Sequence, residues 1–241
     1  MLGVTRRRRG PERLHLRLPA CLALLLLLPA AGLDAQARTE IGAWVAGSVP
    51  QGAFERNVDT GYGFGGHLLL PLSPGGWLRA RVEVGNVIYG RETLEVPLSR
   101  TVGRVRVDVT TTNNVAMLGV GPELILPTGL VRPYLNGLVG GSLLFTESSV
   151  EGDRNVTAFA NDTNFSDLTW AVAPGGGVAI LLGGGPGSIR LDLGAQYRFQ
   201  GTARYLQEGG IEDLPDGDVE LNPVESDTDL LLVRAGLTFT L

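Results

Sequence analysis

Ile189, Leu191, Leu193, Ala195, Tyr197 and Phe199 alternate with Arg190, Asp192, Gly194, Gln196, Arg198 and Gln200. Successive side chains of a strand point to opposite faces, so this period of two predicts a strand with one apolar and one polar face. The pattern returns near the C-terminus. There Leu231, Val233, Ala235, Leu237, Phe239 and Leu241 share one parity, and Leu232, Arg234, Gly236, Thr238 and Thr240 the other. It also sets Leu78, Ala80, Val82 and Val84 against Arg79, Arg81 and Glu83, His67 against Leu68, Leu70 and Leu72, and Glu123 against Leu124 and Pro122.

Turn signals divide the chain into eight such segments, 39–48, 62–72, 77–89, 104–126, 131–146, 168–182, 188–206 and 229–241. Asn113 and Asn114 interrupt the fourth, which predicts a bulge or kink there, with the first half of that strand standing beyond a bilayer. The connections after the second, fourth and sixth segments are short: Ser73 to Gly76, Pro127 to Gly129 and Gly183 to Gly187. Those after the first, third, fifth and seventh are long and polar: Val49 to Gly61, Gly90 to Gly103, Glu147 to Asp167 and Gln207 to Thr228. Short turns at one end and long loops at the other, with both termini at the short end, match an outer-membrane barrel whose termini lie in the periplasm. The first and last strands should then pair, near Ile41 to Gly47, to remove both sheet edges.

A helical reading is disfavoured by composition. The chain has 35 glycines, many inside the periodic segments, and each would cost a helix about 1 kcal/mol. A small barrel, by contrast, needs small residues where its interior narrows.

If the apolar parity faces lipid, the lumen receives Arg79, Arg81, Glu83, Glu123, Arg190, Asp192, Arg198 and Arg234. Eight strands enclose an interior just wide enough for side chains to fill. Charges of both signs packed there must pair, because an unpaired buried ion costs several kcal/mol. The expectation is a salt-bridged plug rather than an open pore, with Arg234 seeking Glu83, Glu123 or Asp192. Tyr62, Phe64, Trp77, Tyr89, Tyr134, Phe145, Trp170 and Phe239 fall near strand ends and are candidates for the aromatic girdles of a membrane barrel. A one-sided soluble sheet, or a secreted barrel with a ligand inside, would produce similar alternation.

The N-terminus changes the picture further. Arg6, Arg7, Arg8, Arg9, Arg13 and Arg17 precede an apolar core from Leu18 to about Leu33, and Ala35-Gln36-Ala37 supplies small residues for a signal peptidase. Residues 1–37 are therefore expected to be a cleaved export signal and 38–241 the barrel domain. A retained anchor is the competing reading, but the apolar stretch is short and broken by Pro19 and Pro29. No later stretch approaches the length of a spanning helix, which does not bear on strands. Cleavage would remove Cys21, leaving no thiol for a disulfide, a zinc site or a nucleophile. All 20 basic residues are arginine; without the leader the chain keeps 14 of them against 23 acids, a formal charge of −9. That balance argues against a nucleic-acid partner.

The alternating strands, the hairpin from Gly119-Val120-Gly121-Pro122-Glu123-Leu124 through Arg132-Pro133-Tyr134-Leu135, and the run Leu231 to Leu241 together resemble the eight-stranded outer-membrane β-barrel proteins, the broad class of the OmpA transmembrane domain, OmpX and OmpW. The resemblance covers the whole mature chain and is architectural. It implies an all-β, up-and-down antiparallel transmembrane barrel in the cell outer membrane, with outer-membrane lipids as its surroundings. It also implies the barrel-assembly machinery as a partner in biogenesis. Members end in a strand of alternate apolar residues, usually closing on an aromatic, which looks like the assembly signal. Here Phe239 and Leu241 hold those places, and the final Leu departs from the pattern.

Catalytic chemistry finds little footing. With His15 removed in the leader, His67 is the only histidine, and the neighbouring Leu68 and Leu69 do not supply the nearby Ser of lipid-A-deacylase-type barrels. His67 is expected to be a hydrogen-bonded packing residue. No cofactor and no His/Cys metal site is expected. The last long loop is acidic, with Glu208, Glu212, Asp213, Asp216, Asp218, Glu220, Glu225 and Asp227. Asp216-Gly217-Asp218 could bind a divalent cation, but clustering without ligand spacing suits a solvated loop better. The triplets at Asn155, Asn161 and Asn164 match a glycosylation pattern and fit an exposed loop.

The function expected is a structural or surface-interaction role for a barrel with a packed polar lumen. The alternatives are a narrow or lateral passage for small or apolar solutes, a lipid-modifying enzyme using His67, and a soluble ligand-binding barrel.

Overall fold

The computed structural model describes residues 38–97, 106–126, 129–152, 160–183, 187–207, 209–213 and 219–241. The expected signal (1–37), Glu208, Asp216-Gly217-Asp218 and the Asn155 triplet lie outside them.

Eight long strands carry the fold: β1 (Glu40–Pro50), β2 (Gly61–Pro71), β3 (Leu78–Pro97), β4 (Arg106–Ile125), β5 (Val131–Gly152), β6 (Ala160–Leu181), β7 (Ile189–Gln200) and, after four short strands, β12 (Leu230–Thr240). They close into a barrel in the order β1-β12-β7-β6-β5-β4-β3-β2. Every neighbouring pair is antiparallel. Closure is by β1, which pairs with β12 from Glu40↔Thr240 to Pro50↔Leu230 and with β2 from Glu40↔Leu69 to Ser48↔Gly61. Both edges of the sheet are thus consumed. Burial on β1 alternates strictly, with Glu40, Gly42, Trp44, Ala46 and Ser48 inward and Ile41, Ala43, Val45 and Gly47 outward.

The structure departs from the expected boundaries in three places. First, much of the sequence expected as the loops 90–103 and 147–167 is strand, because β3 and β4 pair out to Pro97↔Arg106, and β5 and β6 to Val150↔Ala160. Polar composition misled here: Thr93 bonds Thr110 (3.1 Å) and Thr111 bonds Ser148 (3.0 Å), so these hydroxyl-rich strands pair across the sheet. The result is a four-stranded sheet that overshoots the 11-residue β1 and β2 by about 30 Å at 3.3 Å per residue.

Second, the bulge falls at the Asn pair as expected, but the extra residue is on β3 opposite it and not on β4. The register passes from Ile88↔Asn114 to Gly90↔Asn113, leaving Tyr89 as the extra residue. The Asn pair instead ties strands together: Asn113 accepts from Thr146 (2.6 Å) and Asn114 from Asn86 (2.9 Å).

Third, the seventh strand does not run to Leu206. β7 ends at Gln200, and β8 (Thr202–Tyr205) pairs with β11 (Val224–Asp227) in a separate ladder. Gly201 makes the break. It sits against β6, and a Cβ there would lie 2.4 Å from Trp170 Nε1. Within the acidic loop, β9 (Ile211–Asp213) and β10 (Val219–Leu221) form a further short ladder.

Candidate functional site

The barrel wall separates two chemistries. Outside, Val45, Leu118, Leu124, Leu135, Val139, Leu168, Val233 and Leu237 are all exposed. Inside, Arg79, Arg81, Glu83, Glu123, Arg190, Asp192, Arg198 and Arg234 are each less than a tenth exposed. A water-soluble protein buries its large apolar side chains and exposes its charges; this wall does the reverse. Among the proposed girdle residues, Tyr62, Phe64, Trp77, Trp170 and Phe239 do point outward, and Phe145 is half-buried. Tyr89 and Tyr134 are corrections, because both turn inward. Tyr134 crosses Gly177 and Gly194 to donate to Asp192 (2.6 Å), and Tyr89 donates to the Leu206 carbonyl (3.3 Å). A phenol that can reach a buried acceptor gains more from it than from a lipid interface.

The half of the lumen nearer the short turns is ionic. Arg81 contacts Glu83 (2.7 Å) and Glu123 (2.7 Å), and Arg234 contacts Glu83 (2.7 Å). Arg79 bridges Glu40 (2.7 Å) and Glu123, and Arg190 also reaches Glu40. Arg198 stands apart from these pairs: among the described residues it makes no ion pair and donates to Ser142 Oγ (3.3 Å). Asp192 is satisfied by Tyr134 rather than by an arginine ion pair. Glu40 is the member the sequence reading missed. Its parity with Trp44 and Ser48 on β1 was the available signal, masked by its position at the strand's first residue.

His67 is 4% exposed and hydrogen-bonded to Thr238 Oγ1 (3.0 Å). Gly42 makes room for this pair, since a Cβ there would lie 2.4 Å from the imidazole.

Nearer the long connections the lumen buries Ser48, Thr146, Arg198 and Gln200 beside an apolar cluster, which alternation did not foresee. Trp44, Ala46, Val87, Val115, Met117, Leu144, Leu230 and Leu232 form one cluster with Phe54 and Tyr205, which come from outside the barrel strands. Phe54 stands on a single 3-10 turn in the β1–β2 connection and is completely buried. It meets Tyr205 edge-on at 4.9 Å and Tyr89 at 5.4 Å. The β8–β11 hairpin holds Tyr205 in place: Asn57 donates to its hydroxyl (3.0 Å), and Ser226 bonds the same oxygen (2.9 Å). Trp44 forms the boundary between the halves. It lies against Gly65, Gly85 and Gly236, where any Cβ would come within 3 Å, and Arg234 stacks over its ring at 6.0 Å.

At the C-terminus, Phe239 and Leu241 both face outward, and Leu241 N–H donates to the Thr39 carbonyl (2.9 Å). Among the described residues no three His, Cys, Asp or Glu side chains form a metal-binding group.

A closed eight-stranded antiparallel barrel with an apolar exterior and charged side chains buried inside has the architecture of a small membrane-spanning β-barrel. No family model matches the chain, and neither does any curated protein. The solved structures to which the chain is similar include the following. Neisserial surface protein A is 14% identical, with 84% of this chain and 97% of that one covered and a TM-score of 0.36. Ail, the attachment invasion locus protein of Yersinia pestis, is 13% identical, covering 85% and 97% with a TM-score of 0.40. A major outer membrane protein from Thermus thermophilus is 15% identical, covering 84% and 99% with a TM-score of 0.39. The barrel itself is defined by its own hydrogen-bonded closure.

Proposed function

We propose that the chain is an outer-membrane β-barrel whose lumen is sealed and whose work is done by the surface it presents outside the cell. The observation that carries this reading is the double filling of the lumen, ionic near the short turns and aromatic near the long connections, beneath a sheet that stands about 30 Å clear of the shorter strands by the rise per residue. An interior that carries charge pairs and then Phe54, Tyr89 and Tyr205 supports closure against solute. The projecting β3–β6 sheet and the cap of β8 and β11 are then the parts free to meet a partner. The short turns face the periplasm in this reading and the long connections face the exterior. Phe239 and Leu241 would serve as the assembly signal. His67, buried on Thr238, acts in packing rather than catalysis.

Fractionation tests the reading. The protein should be recovered in the detergent-extracted outer-membrane fraction and show a heat-modifiable gel shift. Recovery as a soluble periplasmic protein would overturn it.

A further inference from the structure

The rim at the short-turn end carries two adjoining features that neither closure nor the projecting sheet requires. One is a cavity of about 190 Å³ at the mouth of the lumen, lined by Arg38, Arg79, Arg132 and Arg190 with Glu40 as its only carboxylate. Arg190 is 5% exposed, and its Nε has no hydrogen-bond partner. Glu40 is already shared between Arg79 and Arg190. Arg132 spends one donor on the Gly129 carbonyl (3.1 Å) and has the rest of its guanidinium free of any bond among the described residues. Arg79 is neutralised by Glu123 behind the cavity, which leaves Arg38, Arg132 and Arg190 around the one shared carboxylate with an excess of positive charge and of N–H donors.

The other feature is a groove of about 770 Å³ on the outer wall, walled by Trp77, Leu124, Leu126, Pro133 and Leu135. Its floor is Gly176, which pairs with Leu135 and with Ala195 and has no side chain to fill the outward face. Its lining is almost wholly apolar. Cavity and groove meet at the rim: Ile125 lines both, Gly76 of the cavity precedes Trp77 of the groove, and Arg132 precedes Pro133.

We propose that this rim binds one anionic phospholipid, with the phosphate on Arg132 and its neighbouring arginines and one acyl chain in the Gly176 groove. Guanidinium is the side chain best matched to a phosphodiester, and a basic pocket at a membrane boundary is suited to a charged headgroup. Trp77, half in the groove and at the level of the turn, lies where indole favours the interface. A free anion would use the cavity alone, and an uncharged lipid the groove alone. The contiguity of the two selects a molecule that is anionic at one end and apolar at the other. The proposal rests on the outer-membrane reading.

Native mass spectrometry of the full chain in detergent, with added phosphatidylglycerol, phosphatidylcholine or inorganic phosphate, tests it. The expected result is one retained phosphatidylglycerol, bound at least tenfold more tightly than phosphatidylcholine, and a loss of at least fivefold in Arg132→Gln and in Gly176→Leu. Because a side chain at Gly176 crowds Leu135, Leu126→Glu serves as a second groove variant and should lose the lipid too. Equal retention of both lipids, or retention unchanged by the variants, overturns the proposal. So does displacement by inorganic phosphate with no effect of Gly176→Leu or Leu126→Glu, which would assign the cavity to free anions. Each variant is checked by its heat-modifiable gel shift, so failure of lipid binding with the shift intact is distinct from failure of the barrel reading.

Discussion

The two halves of the lumen solve the same problem by opposite means. Near the short turns the strands supply arginines and carboxylates that neutralise one another; near the long connections they supply Val87, Val115, Met117, Leu144, Leu230 and Leu232, and the end is closed by Phe54 and Tyr205 from connecting segments. The ionic half is rigid because every broken pair strands a charge away from water. The apolar half depends in part on Phe54 and Tyr205, which come from outside the barrel strands, so local opening is expected there before the barrel unfolds.

That contrast can be broken at either end. The largest effect is expected for Glu83→Ala, which removes the carboxylate shared by Arg81 and Arg234 and should cost roughly 4 kcal/mol. Urea unfolding in lipid vesicles reads this out, and an unchanged midpoint would show that the network does not carry stability. Phe54→Ala should cost about 3 kcal/mol, the low end for a buried aromatic because its connection can relax. Its mark is local: proteolysis of the β1–β2 connection should accelerate while the barrel stays closed. Gly85→Ala pushes a methyl into Trp44 and should cost about 2 kcal/mol by overpacking, measured in the same urea series; a stabilised variant would mean that Trp44 is not seated there. The smallest effect belongs to His67→Phe, where losing the bond to Thr238 costs about 1 kcal/mol and no activity should change. Loss of an assayed lipid-modifying activity in that variant would revive a catalytic role.

The contrast also marks what a reader of the sequence could see. Strand parity alone brings Arg79, Arg81, Glu83, Glu123 and Arg234 to one face, because a period of two is a property of consecutive residues. Parity leaves Arg234 three candidate carboxylates, and the structure selects Glu83, a choice made by how β3 and β12 face each other across the lumen. The apolar half was not legible. Phe54 lies in a polar connection on one turn of 3-10 helix, and its contacts with Tyr89 and Tyr205 join residues far apart in the chain. Tyr89 shares the inward parity of Arg79, Arg81, Glu83 and Val87, so alternation itself turns it into the lumen; only its place at the strand's expected end suggests a girdle. The projecting sheet shows no alternation of hydrophobicity, only a hydroxyl-rich composition that also suits loops, so periodicity does not reveal it.

Planar-bilayer recording of the purified protein tests the central claim most directly. In the sealed barrel proposed above the native chain should pass no steady current, and Phe54→Ala should remain silent because the ionic half would still close the path. A stable ohmic conductance in the native protein would contradict a sealed barrel and return the chain to the class of channels.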